Sequence, residues 1–216
     1  MKTNKEWIKY LELMKSRPDQ FVNSGILDIV TDEETVSRFE AQTGKKIGVI
    51  YESPYHILAV DLVREKEGRI FAYERVLPAV EKGAVVAVPV YDGKFVLLRQ
   101  YRHALRREQY AFPRGFAEPG ISPEENLKKE LKEEINGVTD HISFLGHVIA
   151  DSGFDSNSVS IFLCSLKSVE FQLDHEGIQE IILLTPEELR QWIKAGKIDD
   201  GFTLSALSLL SNCEQA

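Results

Sequence analysis

Three glutamates, Glu130, Glu133 and Glu134, lie close together in a segment whose apolar residues recur at helical spacing. On a helical wheel, at about 100° per residue, Glu134 falls about 20° and Glu130 about 60° from Leu127, which belongs to the apolar stripe. Like charges four residues apart repel each other, and a half-buried carboxylate loses hydration. A hard divalent cation would remove both penalties, because Mg²⁺ prefers oxygen ligands.

The same segment allows a second interpretation, in which the acids are surface residues paired with Lys128, Lys129 and Lys132. Solvated helices commonly carry such pairs. The position of two acids at the rim of the apolar stripe weighs against this interpretation, and the helix alone leaves both open.

The segment before the helix, "FPRGFAEPG", contains two prolines and two glycines. Glycine lets a backbone approach a ligand closely, and the free N–H groups of a helix start favour an anion. A tight connection from a strand to a helix would need the same residues. The helix itself is predicted to begin at Ser122, with Glu125 completing a capping box, and to end at Asn136-Gly137.

Strand and helix patterns surround this segment. Asp92-Gly93 between two apolar runs predicts a β-hairpin, and Pro89 in the first run suggests an edge strand or a bulge. Three further strands follow the acidic helix, and the chain closes with a helix from Pro186 to Ala195 and a last apolar helix.

The N-terminal part has a different character. A first helix carries Trp7 and ends before Pro18, and a second is predicted to begin at the N-cap Thr31 and to stop at Gly44. Short strands typical of a small antiparallel sheet follow. We therefore predict two regions, with N-terminal helices and a small β region over residues 1–80 and the main domain over residues 81–216.

Composition narrows the function classes. The 216 residues carry a net charge of −8, so the chain offers no diffuse basic surface for nucleic acid or anionic lipid. No apolar run is long enough to span a bilayer, and no secretory signal is evident. The two cysteines, Cys164 and Cys213, lie far apart and predict neither a disulfide framework nor a structural zinc. The cytoplasm is the expected location.

The acidic segment resembles the signature of the Nudix hydrolase family. Gly115, Glu130, Leu131, Glu133 and Glu134 stand at the signature's spacing. This chain departs from the signature at four of its fixed positions, which hold Ile121, Lys129, Asn136 and Gly137. The first Glu and the Arg of the signature support the loop by pairing with each other, and both are replaced here, by Ile121 and Lys129. The carboxylates that would face a metal are retained.

The resemblance extends from about Ala84 to Leu210 and is strongest to the ADP-ribose pyrophosphatase branch. "VLLRQYRH" is similar to its strand before the signature, and "AFPRG" to its Glu-Leu-Pro-Ala-Gly, with Ala111 and Arg114 replacing two of those residues. The fold implied is an α/β/α sandwich around a mixed sheet, with the small N-terminal region attached. Members of this branch commonly form homodimers through their N-terminal sheets.

The family hydrolyses the diphosphate of nucleoside diphosphate derivatives with Mg²⁺, or Mn²⁺, as cofactor. The resemblance implies that Glu130, Glu134 and the Arg114 carbonyl are metal ligands, and that Glu133 is a ligand or a catalytic partner. Arg102 would bind the diphosphate of the small-molecule substrate, and the Arg114 side chain could meet a phosphate.

A late loop supplies the general base in this branch, and Glu176 stands in that place. Its segment is equally typical of an ordinary acidic turn, and the loop with Asp155 and Asn157 is a second position for the base. An alternative function is a sensor or interaction module that binds a nucleotide without hydrolysing it. Ile121, Ala111 and Asn157 favour the sensor, whereas the retained glutamates favour the enzyme.

Overall fold

The computed structural model describes residues 4–170 and 176–213, which form helices and strands in two units. The first unit comprises residues 1–79 and 151–156, and the second comprises residues 80–150 and 157–216. Within the described ranges, no helix has the length and apolar character needed to cross a membrane.

The first unit packs two helices on an antiparallel sheet. Its elements are α1 (Lys5–Ser16), a 3₁₀ turn (Pro18–Phe21), β1 (Leu27–Ile29), α2 (Glu33–Thr43), β2 (Gly48–Glu52), β3 (His56–Glu65) and β4 (Ile70–Pro78). β3 pairs antiparallel with each of the other three strands. Trp7 and Tyr10 on α1 are fully buried in the core of this unit, and their rings stack.

The start of α2 differs from the prediction. Asp32, not Thr31, is the N-cap, and its carboxylate accepts a hydrogen bond from the Thr35 N–H at 2.8 Å. Asp and Thr both serve as N-caps, so composition alone does not distinguish neighbouring candidates. The predicted stop at Gly44 is confirmed, because Gly44 adopts the left-handed conformation at the helix end.

A buried polar network joins the elements of the first unit. The Asp61 side chain on β3 is 4% exposed, accepts a hydrogen bond from the Tyr10 hydroxyl, and lies 2.6 Å from Arg75 Nε on β4. The Arg75 guanidinium also covers the Phe21 ring at 4.5 Å and donates to the Gln20 carbonyl. Burial, followed by the Asp61 charge, raises the pKa of the Tyr10 phenol far above its usual range, so Tyr10 remains a donor.

The second unit is built on a seven-stranded mixed sheet. Its elements are β5 (Val85–Tyr91), β6 (Lys94–Arg102), β7 (Arg107–Ala111), β8 (Arg114–Gly115), α3 (Pro123–Ile135), β9 (Val138–Ile149), β10 (Ser158–Ser168), β11 (Ile178–Leu184), α4 (Pro186–Lys194) and α5 (Gly201–Cys213). The main strand order is β11-β6-β5-β10-β9, and β10 runs parallel to β5. The predicted mixed sheet is therefore confirmed.

Side chains of β5 point alternately to the two faces of this sheet, and Val85–Val88 are buried on both. Val85 and Ala87 pack in one apolar cluster with Leu127 and Leu131 of α3. Val86 and Val88 point to the opposite cluster, which contains residues of α4 and α5. Because a strand's side chains alternate between faces, one apolar strand can serve two layers. The result is the predicted α/β/α sandwich.

Pro89 does not mark an edge strand, because β5 lies in the centre of the sheet. Its position has a different reason. The β5–β6 ladder covers only Val90 and Tyr91 of β5, and the preceding part of β5 pairs with β8 instead. Proline lacks the N–H that would continue the ladder. Pro89 therefore lies where β5 changes partner, between the residues paired with β8 and those paired with β6.

The termini of α3 follow the sequence prediction. The Ser122 side chain accepts the Glu125 N–H, and the Glu125 carboxylate accepts the Ser122 N–H, so the capping box is complete. Asn136 ends the helix in the left-handed conformation. Both ends of the helix that carries the three glutamates are thus fixed by local residues.

Candidate active site

The three glutamates of α3 differ in burial as the helical wheel predicts. Glu134 is 4% exposed and belongs to the buried face, together with Leu127 and Leu131. Glu130 lies at the border and is partly exposed. The Glu133 side chain is 41% exposed and lies 3.7 Å from the Lys129 ammonium. Glu130 and Glu134 therefore form the inner pair, and Glu133 lies further out.

The loop at β8 faces these acids with its backbone. The Arg114 N–H donates to Glu134 Oε2 at 3.1 Å. A β-carbon added at Gly115 would lie 1.9 Å from Glu130 Oε1, so only glycine leaves room for that carboxylate. Pairing of Arg114 and Gly115 with β5, and a hydrogen bond from the Ala87 N–H to the Pro113 carbonyl, hold the loop in place.

Both inner carboxylates resist ionisation in the protein alone. Burial, followed by the charge of Glu133, raises the pKa of Glu130 to about 7. Burial, followed by the charge of Glu130, raises the pKa of Glu134 to about 8, although the Arg114 N–H and the Arg102 charge oppose the shift. Such displaced values are typical of sites that bind a cation or act on a proton.

Two arginines approach the acids from other elements. Arg102 ends β6, and burial, followed by the charge of Arg114, lowers its pKa. Its buried Nε atom has no hydrogen-bond partner among residues 4–170 and 176–213. The charges of Glu134 and Glu176 act on Arg102 in the opposite direction. A half-buried guanidinium with unused donor capacity beside an acidic pair is suited to an anionic ligand.

The Arg114 side chain has a protein partner. Its Nη1 donates to Asp200 Oδ1 at 2.9 Å, and its guanidinium lies over the Phe202 ring at 5.3 Å. Asp200 is 5% exposed and also accepts from the N–H and hydroxyl of Thr203 at the start of α5. An open pocket of about 300 Å³ borders this pair, lined also by Val148–Ala150, Gly201 and Ser205.

Glu176 lies in the turn before β11 with its backbone at φ 48°, in the left-handed region. Its charge raises the pKa of Glu130 and Glu134 and opposes the lowering of the Arg102 pKa, so it lies in the same charged cluster. The second position considered for the base is divided, because Asp155 belongs to the first unit and Asn157 to the second. The structure therefore brings Glu176 together with the α3 acids and Arg102.

Lys129 retains an acidic partner despite the changes in the signature. Its ammonium bonds to Glu118, three residues before Ile121, and lies 3.7 Å from Glu133. The hydrogen bond with Glu118 raises the pKa of Lys129. The pair implied to be lost at Ile121 and Lys129 is thus re-formed with Glu118. The presence of Glu118 in the same loop as Ile121 was the feature of the sequence that could have indicated this pair.

Asn126 is a further residue that the sequence did not single out. It is fully buried on α3, and its Nδ2 donates to the carbonyls of Gly83 and Phe116 at 2.8 and 2.7 Å. These bonds tie the glycine-rich loop to the helix. An amide on the apolar face of a helix was the available signal, since buried polar groups need partners.

The donor set suits a hard cation that keeps part of its hydration. Within the described ranges, no three acidic, histidine or cysteine side chains form a ready-made metal cluster. A cation held by Glu130 and Glu134 would complete its shell with backbone, water or ligand oxygens, as Mg²⁺ commonly does. The repulsion and desolvation of the two acids are the features that such a cation would relieve.

Comparison with known proteins gives three kinds of similarity. Residues 81–203 match the NUDIX domain. The chain is 26% identical over 183 residues to the ADP-ribose pyrophosphatase of Bacillus subtilis (strain 168), covering 83% of the chain and 92% of that protein. It is 28% identical over 132 residues to the methanol dehydrogenase activator of Bacillus methanolicus, covering 59% and 71%.

A shorter match, 30% identical over 89 residues, is to the ADP compounds hydrolase NudE of Escherichia coli (strain K12), covering 41% of the chain and 47% of that protein. Among solved structures, a crystal structure of an ADP compounds hydrolase superposes with a TM-score of 0.66 at 20% identity, covering 79% of this chain and 92% of the other. At that identity the superposition supports the fold.

Proposed function

Because this chain belongs to the NUDIX domain family of hydrolases, we propose that it is a metal-dependent pyrophosphohydrolase. Its substrate is ADP-ribose or a related nucleoside diphosphate sugar, which it cleaves to a nucleoside monophosphate and a sugar phosphate. The observation that carries the proposal is the inner pair of the buried Glu134 and the half-buried Glu130, held against the backbone of Arg114 and Gly115. The first relative named above is an ADP-ribose pyrophosphatase.

Glu130 and Glu134 would hold the cation, Mg²⁺ or Mn²⁺, with the Arg114 carbonyl as a further oxygen donor and Glu133 as a ligand or a catalytic partner. When bound, the cation neutralises phosphate charge and lowers the pKa of water. The raised pKa values of Glu130 and Glu134 support this assignment, because they reflect negative charges that are unfavourable without a nearby cation. Gly115 contributes by leaving the space that the Glu130 carboxylate fills.

Arg102 binds the diphosphate. Its half-buried guanidinium has an Nε donor without a partner among the described residues, and a planar fork of donors matches phosphate oxygens. Arg114 contributes positive charge beside Arg102, while Asp200 fixes its guanidinium at 2.9 Å. The two positive charges offset the negative charge that the substrate brings to an acidic protein.

Glu176 is the general base, and Glu133 assists as a ligand or as a second carboxylate near the attacking water. Glu176 belongs to the charged cluster of Glu130, Glu134 and Arg102. A carboxylate there can accept the proton of a water that attacks phosphorus in line with the departing phosphate. Lys129 and Glu118 orient the outer side of the cluster through their ion pair.

The proposal extends to the assembly and location. We expect a cytoplasmic homodimer that takes a small-molecule nucleoside diphosphate derivative and neither nucleic acid nor a membrane as its ligand. The net charge of −8 supports the expectation that neither nucleic acid nor a membrane is a ligand. The family resemblance supports the dimer. Sedimentation of the purified chain would measure the oligomeric state.

The test is hydrolysis of a panel of nucleoside diphosphate derivatives with Mg²⁺ or Mn²⁺, measured as released monophosphate. Wild-type protein should hydrolyse ADP-ribose or a nucleotide sugar, and Glu134→Gln should lower kcat by roughly 100-fold or more. Glu124→Gln is the matched control, because Glu124 is an exposed acid at the other end of α3, paired with Lys128. Tight binding of a panel member without turnover would instead favour the sensor alternative.

A further inference from the structure

Gln100 is a buried amide beside the candidate base. It lies on β6, two residues before Arg102, and is 3% exposed. Its Nε2 donates to the Glu176 carbonyl at 2.8 Å. Its Oε1 accepts no hydrogen bond from any residue that the structure describes. A core amide whose oxygen has no partner among the described residues is costly, so its position calls for a reason other than packing.

The turn that Gln100 contacts has an unusual backbone. Glu176 adopts φ 48°, which glycine accepts readily and other residues adopt rarely. Gly177 follows at φ 77°, and its carbonyl accepts the Tyr101 N–H at 2.9 Å. A non-glycine residue in the left-handed region costs free energy that the surrounding contacts must offset. Gln100 and Tyr101 supply one hydrogen bond each.

The strand pairing next to the turn is irregular at the same place. Ile178 pairs with Gln100, but Glu180 pairs with Arg99, so β11 contains one extra residue at Gln179. Such bulges re-aim the side chains beside them and are common next to active sites. Gln100 therefore lies where the regular ladder ends and the turn with Glu176 begins.

We propose that Gln100 is a positioning residue that fixes the Glu176 turn and so directs the Glu176 carboxylate toward the cluster of Glu130, Glu134 and Arg102. This inference rests on the proposed function, since it assigns Glu176 the role of base. Gln100 itself contacts neither substrate nor cation in this account. Its effect on catalysis passes through the backbone of Glu176.

Gln109 offers a matched control in the same sheet. It lies directly opposite Gln100 on β7, is 7% exposed, and donates from the same Nε2 atom. Its acceptor is Asp199 Oδ1 at 3.0 Å, not the Glu176 turn. Gln100→Met and Gln109→Met thus remove the same group from neighbouring buried positions. Only the first removes a bond to the candidate base.

The experiment is a double-mutant cycle with Gln100→Met, Glu176→Gln and both together, measured as kcat and KM for the substrate that the wild-type enzyme hydrolyses. We expect Gln100→Met to lower kcat by about tenfold with KM within about twofold, and to have no further effect once Glu176 is Gln. Gln109→Met should leave kcat within about twofold. Equal losses in both glutamine variants, or an additive loss in the double variant, would overturn the inference.

A second variant changes the Glu176 turn directly and leaves Gln100 in place. A β-carbon at Gly177 would lie 3.2 Å from the Tyr101 carbonyl oxygen, so Gly177→Ala should displace the turn. It should lower kcat as Gln100→Met does, again only while Glu176 is present. Unchanged kcat in Gly177→Ala would contradict the role of the turn, even if Gln100→Met failed to fold.

Amide hydrogen exchange separates this inference from the proposed function. Gln100→Met should speed exchange of the Tyr101 amide, which bonds to Gly177, and Gln109→Met should not. Unchanged Tyr101 exchange in Gln100→Met refutes the positioning role whatever the activity. A wild-type protein that hydrolyses no panel member refutes the proposed function while leaving the exchange result intact.

Discussion

Gly115 and Glu130 are in such close contact that a β-carbon at the glycine would lie 1.9 Å from Glu130 Oε1 and would fit only if that carboxylate moved. Gly115 to Ala should therefore push the Glu130 carboxylate out of place. We expect kcat to fall by on the order of 100-fold, measured by hydrolysis at saturating Mg²⁺.

The matched control for that substitution is Gly201→Ala, because a β-carbon at Gly201 meets nothing within 4 Å. It should retain activity within about threefold, since no catalytic atom must shift. Wild-type activity in Gly115→Ala would mean that the Glu130 position is irrelevant to the reaction.

Glu134→Gln should stabilise the metal-free protein at high pH. The pKa of Glu134 is raised to about 8 from an ordinary value near 4.5, so the folded protein binds this proton more tightly than the unfolded chain. Wild-type stability from this group is full below pH 4.5 and is lost as pH rises through 8. Gln carries no such proton.

In urea unfolding with a chelator, the advantage of Glu134→Gln over wild type should therefore grow between pH 5 and pH 8.5, by roughly 1–3 kcal/mol. Glu124→Gln, which alters an exposed acid of the same helix, should show no such trend. A pH-independent difference would indicate that Glu134 is not strained when charged.

Arg102→Lys should weaken substrate binding even though the charge is kept. A lysine ammonium cannot reproduce the planar donor fork of the half-buried guanidinium. We expect KM to rise by roughly tenfold or more. Arg99 lies on the same strand, but it pairs with Glu108 and Glu180 and not with the glutamates of α3. Arg99→Lys should therefore change KM little. An equal rise in KM in both variants would show that Arg102 does not bind the substrate.

Much of the second unit could be predicted because its signals are local. The capping box at Ser122 and Glu125 and the stop at Asn136 each depend on residues within one helical turn. The wheel placed Glu134 on the buried face for the same reason. The prediction that Thr31 is the N-cap of α2 was wrong. Asp32 beside it is an equally good N-cap residue, and only the hydrogen bond from Thr35 distinguishes the two.

The remaining features depend on contacts between distant segments. Pro89 was assigned to an edge or a bulge, but β5 is a central strand whose first residues pair with β8, a segment that follows two strands later. Asp200, which holds Arg114, and Gln100, which holds Glu176, are separated from their partners by 86 and 76 residues. Residue spacing along one element carries no information about such pairs.

In the first unit, Asp61→Ala should be strongly destabilising. It would leave the Arg75 guanidinium and the Tyr10 hydroxyl without their acceptor in a buried network. Breaking such a pair costs about 3–5 kcal/mol. The free energy of unfolding, measured in urea, should fall by that amount.

Removal of Glu52, the exposed partner of Lys9, should cost less than about 1 kcal/mol. Similar losses for both would contradict the buried network's contribution.

The central claim is that Glu130 and Glu134 share a divalent cation, and titration of Mn²⁺ into the purified protein at pH 7.5 tests it most directly. Wild-type protein should bind Mn²⁺ with release of protons, because both acids begin partly protonated. Glu134→Gln should weaken binding by at least about tenfold and release fewer protons, whereas Glu124→Gln should match wild type. Equal Mn²⁺ affinity in wild type and Glu134→Gln would contradict the account.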